Sequence, residues 1–208
     1  MPVEKKYTID RQITAGIWYI SESEEYFRDH TPSQDIIKAD NIGNPRLRLQ
    51  WLAVRLCLRS ILENQSILIE SDDYGKPHVT EGDVHISLSH SHEKVAASFG
   101  HINHGIDIQF THDNIARIAQ KFVNKKEYGW IDDPGNNDMH HLIWSGKEAL
   151  YKAYGKKELD FKEHIRIQPF DFIPETITTG QIKKDGFEKE YNIWFNRLDD
   201  YYLSCAYE

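Results

Sequence analysis

Apolar and small or polar side chains alternate along residues 13–20, with Ile13, Ala15, Ile17 and Tyr19 on one side, and this period of two predicts a strand. Residues 21–40 are polar and interrupted by Pro32, so loop and short helix are expected there. The period then changes. Leu47, Trp51, Val54, Leu58 and Ile61 recur at helical spacing behind Pro45, a residue suited to the first turn, and predict a helix over 46–63. A short strand at 67–70 leads into Asp73-Tyr74-Gly75-Lys76-Pro77, a turn by its Gly and Pro content. Three strands follow at 84–89, 94–99 and 104–110. Asp113 or Asn114 is placed to cap a helix carrying Ile115, Ile118, Ala119 and Phe122. Residues 132–138 read as a loop, and a second long helix over 139–154 is ended by Gly155. Strands return at 164–168, 191–198 and 201–207, the last two joined by a turn at Asp199-Asp200. The pattern is that of an α+β protein with two long helices and no internal sequence repeat.

Composition narrows the class of partner more than the fold. At 208 residues the chain suits one large domain or two small ones, and 39% hydrophobic with 28% charged residues is ordinary for a globular protein. The net charge of −8 argues against general binding to nucleic acid or an anionic membrane, which require a basic face. Cys57 and Cys205 sit in apolar patterns and read as core thiols rather than a disulfide. Residues 1–10 lack an apolar signal core, and no stretch approaches the roughly 20 apolar residues that span a bilayer, so a cytoplasmic location is expected.

Three segments carry candidate chemistry. Along Gly105-Ile106-Asp107-Ile108-Gln109, strand alternation puts Asp107 and Gln109 on one face and Ile106 and Ile108 on the other. Two oxygen-bearing side chains beside a glycine that admits a ligand to the backbone suit a hard cation such as Mg²⁺. Read alone, the segment also describes a half-exposed edge strand. In Trp144-Ser145-Gly146-Lys147-Glu148-Ala149-Leu150-Tyr151-Lys152, Glu148 and Lys152 lie one helical turn apart. They offer a carboxylate for a metal or proton and an ammonium for phosphate, or simply form a surface ion pair. In Ile86-Ser87-Leu88-Ser89-His90-Ser91-His92, hydroxyls and imidazole emerge at a strand end, where they can donate to phosphate or just form a turn. Lys76 and Arg46 are further cations of phosphate-binding type or plain surface charges. The 11 histidines suggest no zinc site, because His101 and His104, or His140 and His141, lack a Cys or acidic partner at a recognised spacing.

In this order and spacing the segments resemble the Sfp-type 4'-phosphopantetheinyl transferase family. The resemblance rests on Gly105-Ile106-Asp107 and on Trp144, Ser145, Lys147-Glu148-Ala149 and Lys152. Between these, Lys121-Phe122-Val123 and Glu127-Tyr128 match the family's pattern; upstream, so do Tyr74-Gly75-Lys76-Pro77, Ser89-His90-Ser91 and Arg46. It covers about residues 46–168. It implies a pseudo-twofold duplicated fold, each half a long helix packed on a small antiparallel sheet, with coenzyme A in the cleft between them. The halves would be residues 1–103 and 104–208, the second carrying the metal-binding motifs. The resemblance assigns the 3'-phosphate of coenzyme A to Arg46, Ser89 and His90, and places Lys76 near the adenine and phosphates. It assigns Mg²⁺ and the pyrophosphate to Asp107, Gln109 and Glu148, with Lys152 beside them. Asp107, Glu148 and Lys152 are the implied catalytic set.

The implied reaction moves the 4'-phosphopantetheine of coenzyme A to a serine hydroxyl of an apo acyl- or peptidyl-carrier protein and releases 3',5'-ADP. Gln109 departs from the family, which often has an acidic residue there; the amide keeps a carbonyl oxygen but removes one negative charge from a metal shell. The alternative is a catalytically impaired homologue that binds coenzyme A or a carrier protein without transfer. A different Mg²⁺-dependent nucleotide enzyme is opposed by the lack of a Gly-x-x-x-x-Gly-Lys-Ser/Thr loop. Carrier proteins are typically acidic helical bundles, so an acidic enzyme needs a locally apolar or basic patch to meet one. A monomer without nucleic-acid or membrane partners is expected.

Overall fold

A computed structural model describes residues 3–80, 82–131, 133 and 135–208. It divides into two compact units, Met1–Ile102 and Asn103–Glu208. Both combine helices with antiparallel sheet, as the α+β reading expects.

In the first unit, β1 (Lys5–Ile9), β2 (Ile13–Tyr19), β6 (Lys94–Gly100) and β5 (His85–Ser91) form an antiparallel sheet in the order β1-β2-β6-β5, while β3 (Ile69–Ser71) and β4 (Pro77–Val79) make a separate pair. Helices α1 (Glu24–Asp29) and α2 (Ser33–Asp40) occupy the polar stretch. Helix α3 (Pro45–Leu62) begins where the Asn44 side chain accepts from the amides of Arg46 and Leu47, and it stops at Glu63, whose φ of 55° is left-handed. Its buried Leu52, Leu56 and Cys57 join Trp18, Val95 and Ala97 in one core. Arg59 and Asp35, both buried, tie α2 to α3 through an ion pair of 2.5 Å. Strand β1 was not legible because its outward residues Lys5, Lys6 and Thr8 are polar and only Tyr7 and Ile9 are buried. Strand β5 runs two residues beyond the predicted 84–89, since Ser91 pairs with Lys94 across a turn at His92.

In the second unit the sheet order is β7-β11-β10-β9-β8, from β7 (His104–Phe110), β8 (Ile165–Ile167), β9 (Ile177–Lys184), β10 (Phe187–Leu198) and β11 (Tyr201–Tyr207). The long helix here, α6 (Asn137–Tyr154), is capped by the Asn136 side chain and ended by Gly155 at φ 69°. Of the two candidates to cap the 115–122 segment, Asn114 occupies the N-cap position. Asn114 makes no side-chain capping bond, and only the short α4 (Ile115–Ile118) and a 3₁₀ turn over Ala119–Lys121 form. Another short helix, α5 (Lys125–Tyr128), carries a capping box between Asn124 and Glu127. Of the predicted loop at 132–138, residues 132 and 134 lie outside the described residues. Strand β9 and the first half of β10 were missed, although Asp185-Gly186 between them is a strong hairpin signal; both residues have positive φ, 48° and 84°. Cys57 and Cys205 are buried free thiols, and burial pushes the Cys57 thiol up to about 12. Among the described residues no helix is long and apolar enough to cross a membrane.

Candidate active site

The site is built where β7 lies on α6. Gly105, Asp107 and Gln109 share one face of β7, and a side chain at Gly105 would run into α6. A Cβ there would stand 2.5 Å from the amide nitrogen of Ala153 and 2.8 Å from Lys152 Cβ, and closer still to the Ala149 carbonyl. The glycine therefore admits the helix to the strand, not a ligand as the sequence suggested. That close approach sets Asp107, two residues on, against the same helix.

Lys152 then reaches across from α6. Its ammonium donates to Asp107 Oδ1 at 2.8 Å and to the Ile106 carbonyl at 2.9 Å. Asp107 is 6% exposed, so the solvated edge-strand reading fails for it, although β7 is the edge of its sheet. Ile106 and Ile108 are buried on the other face. Glu148, one turn before Lys152, is half-buried, and its carboxyl is raised to about 7. Burial is the main cause and the negative charge of Asp107 adds to it, while Lys152 opposes both. Asp107, Glu148 and Lys152 thus form one electrostatically coupled group. Gln109 is half-exposed and its amide nitrogen donates to the Phe110 carbonyl at 3.2 Å.

Two carboxylates and an amide are hard oxygen donors, and a divalent cation would favour the ionised form of a carboxyl that burial, and secondly Asp107, hold up. The donor set fits Mg²⁺. Among the described residues no three His, Cys, Asp or Glu side chains gather as a metal-binding group, so the carboxylates here number two.

Lys147 and Glu127, read only as motif letters, prove to be the mainstay of this region. Both are fully buried and paired at 2.7 Å. Lys147 Nζ also donates to the carbonyls of Phe122, Phe161 and Ile165 at 2.6, 2.8 and 2.9 Å. Glu127 accepts from the amides of Asn124 and Ile167 at 2.9 Å each. Burial lowers the Lys147 pKa and Glu127 counteracts it. The pair pins two chain segments to α6 at the residue preceding Glu148. A Lys flanked by Leu142, Ile143, Ala149 and Leu150 in the helical pattern was the available signal.

The remaining candidates belong to the first unit. Arg46, in the first turn of α3, is exposed and pairs with Glu93 at 3.2 Å beside the β5–β6 turn. Ser89 is buried and His90 exposed, and both lie in the last three residues of β5, at the strand end that the sequence suggested. His90 shares a pocket of about 250 Å³ with Gly75 and Pro77, so the Gly75-Lys76-Pro77 turn and the strand do converge. The turn is set by Asp72, whose Oδ1 accepts from the amides of Tyr74 and Lys76 at 2.9 Å each. Trp51 and Arg55 complete that pocket, the guanidinium lying 3.4 Å over the indole; the sequence reading did not name Arg55.

A family model described as the 4'-phosphopantetheinyl transferase superfamily matches residues 103–206, the unit that holds Asp107, Glu148 and Lys152. The 4'-phosphopantetheinyl transferase gsp of Aneurinibacillus migulanus is 34% identical over 167 residues, covering 77% of this chain and 68% of that protein. The chain belongs to the 4'-phosphopantetheinyl transferase superfamily. It is therefore an enzyme of the transferase class. Within this superfamily it is also similar to the 4'-phosphopantetheinyl transferases Sfp of Bacillus subtilis (strain 168), 34% identical over 109 residues, and ffp of Bacillus subtilis, 32% over 110. Those two alignments each span 48% of this chain and 49% of the relative.

Proposed function

We propose that the protein is a Mg²⁺-dependent enzyme that transfers the 4'-phosphopantetheine of coenzyme A to a serine hydroxyl of an apo acyl- or peptidyl-carrier protein, releasing 3',5'-ADP. The observation that carries the reading is the coupled group of Asp107, Glu148 and Lys152 in a chain of this superfamily. The serine oxygen forms the new bond to phosphorus, and the pyrophosphate P–O bond to the adenosine side breaks. Glu148 takes the serine proton directly or through a water. Lys152 offsets charge on the departing 3',5'-ADP. Asp107, Glu148 and Gln109 would hold Mg²⁺, which when bound neutralises charge on the diphosphate oxygens.

In the first unit, Arg46, Ser89 and His90 are assigned to the 3'-phosphate and Lys76 to the adenine and phosphate region; the pocket shared by His90 and the Gly75-Lys76-Pro77 turn supports this. Both units set an 18-residue helix on an antiparallel sheet, which supports a duplicated fold with halves at 1–103 and 104–208. A cytoplasmic monomer completes the reading.

The test is to incubate the protein with coenzyme A, Mg²⁺ and a set of apo-carriers and weigh the carriers. One added phosphopantetheine is the expected result, and Asp107→Ala should slow it by at least about a hundredfold. A chain that binds coenzyme A but leaves every carrier at its starting mass is the impaired homologue instead.

A further inference from the structure

His141 is fully buried in α6, plays no part in the chemistry above, and has both ring nitrogens committed. Its Nδ1 donates to the Asn137 carbonyl at 2.7 Å, and its Nε2 accepts from the backbone amide of His112 at 2.8 Å. A ring nitrogen that accepts carries no proton, so the imidazole is neutral. The ring stacks on Tyr202, with centroids 4.8 Å apart and an interplanar angle of 12°. Tyr202 stands opposite Gln109 in the β7–β11 ladder, and its hydroxyl donates to Asp138.

His112 lies two residues beyond the end of β7, so its amide ties the chain just past Gln109 to α6. Thr111 beside it is held differently. Its amide and hydroxyl donate to the Asp200 carbonyl at 2.8 and 2.7 Å, which fastens β7 to its own sheet and not to the helix. The strand and α6 run in opposite directions, and contacts to the helix occur at both ends of the strand. The close packing at Gly105 and the Lys152–Asp107 pair act at its start and middle; His141 supplies the tie to the helix at its end. Along α6, Glu148 lies about 6 Å from Lys152 and about 10 Å from His141, at about 1.5 Å per residue. The oxygen donors Asp107, Gln109 and Glu148 therefore fall within the span that the Lys152 and His141 ties bound.

We propose that His141 is a positioning residue for the Mg²⁺ donor set: by holding the His112 amide it fixes the far end of β7 to α6 and so keeps Gln109 in register with Glu148. The inference rests on the transferase reading and adds a residue that the reading does not use. His141 acts through the backbone that follows Gln109, not on the reacting atoms. Contacts that orient a metal's ligands matter nearly as much as the ligands, and losing one costs about ten- to a hundredfold in affinity.

The test compares His141→Phe, which keeps a ring against Tyr202 but removes the acceptor, with His141→Gln, whose side-chain carbonyl can still accept from the His112 amide. Two measurements need no transfer: hydrogen exchange of the His112 amide followed by NMR, and calorimetric titration of Mg²⁺ into protein saturated with coenzyme A. In His141→Phe the His112 amide is expected to exchange at least about tenfold faster and the Kd for Mg²⁺ to rise about tenfold, with the Kd for coenzyme A measured without Mg²⁺ unchanged. His141→Gln should hold both quantities within about threefold of wild type. Should His141→Phe fail to fold, His141→Leu replaces it with the same expectations. Faster exchange at His112 with unchanged Mg²⁺ affinity overturns the proposal and makes His141 a brace of the fold alone. So does a Gln variant that binds Mg²⁺ as weakly as the Phe variant. Wild-type protein that binds Mg²⁺ but loads no carrier overturns the transferase reading instead, and the Mg²⁺ constants still decide the role of His141.

Discussion

At the residue scale the proposed active site depends on how charge is shared among Asp107, Glu148 and Lys152. Asp107 and Lys152 neutralise each other at 2.8 Å, so the burial of Glu148 is not fully compensated and its carboxyl rises to about 7. Gln109 decides how much negative charge the oxygen donors bring to a cation. Changing it to a carboxylate should tighten Mg²⁺ binding: Gln109→Glu is expected to lower the Mg²⁺ concentration that half-saturates transfer, and calorimetric titration of Mg²⁺ should show the same direction. Identical half-saturation in wild type and variant would remove Gln109 from the donor set. The candidate residues were legible one by one, because glycine-aliphatic-aspartate on a strand and Glu148 four before Lys152 on a helix are local patterns. Their coupling was not legible. Lys152 was expected to share a surface with Glu148, whereas it spans to another element, and such a contact joins residues 45 positions apart in the chain.

At the element scale the strand–helix contact does most to create the site. Strand β7 can approach α6 only because position 105 has no side chain. The atoms a Cβ would strike are largely backbone, so no rotamer change relieves the overlap. Gly105→Ala is expected to cost about 1–3 kcal/mol and lower the melting temperature by several degrees. It should also impair transfer more than it impairs folding, since any shift of β7 carries Asp107 away from Lys152. A variant with wild-type melting temperature and rate would show that the approach has slack. The buried Lys147–Glu127 pair braces the same helix from the other side. Replacing Lys147 with Met would strand a buried carboxylate, at a cost of about 3–5 kcal/mol read from chemical unfolding. The long helices were legible because period, caps and stop residues agree, whereas β9 was not, since its Gly180, Gln181 and the threonines before them lack the expected alternation.

At the scale of the whole molecule, stability should depend on acid through histidines that are buried in the neutral form. His140 and His141 are fully buried in α6, and burial lowers both below the ordinary value of 6.5. For His140 the Asn136 carbonyl and Asp133 oppose the shift; for His141 the Asn137 carbonyl and Asp138 do, with His112 and His140 adding to it. The unfolded chain therefore binds protons that the folded chain resists. The contribution of the two histidines is complete above pH 6.5 and falls below it, each adding a slope of up to about 1.4 kcal/mol per pH unit, while the raised Glu148 carboxyl works in the opposite direction between about pH 7 and 4.5 and offsets part of it. Urea unfolding from neutral pH downward should show this loss, and His140→Met should make it shallower. An equally steep profile in that variant would place the acid sensitivity elsewhere.

The sequence by itself determined the α+β class, the two long helices and the superfamily, and it nominated the residues proposed for the chemistry, because each of these is written in local periodicity and in ordered motifs. Tertiary structure alone decided that Gly105 serves packing, that Lys152 belongs with Asp107, that Lys147 is buried, and that His141 takes the His112 amide. Each of these depends on which distant segments come into contact, and burial and charge act through distances in space that spacing along a chain does not specify.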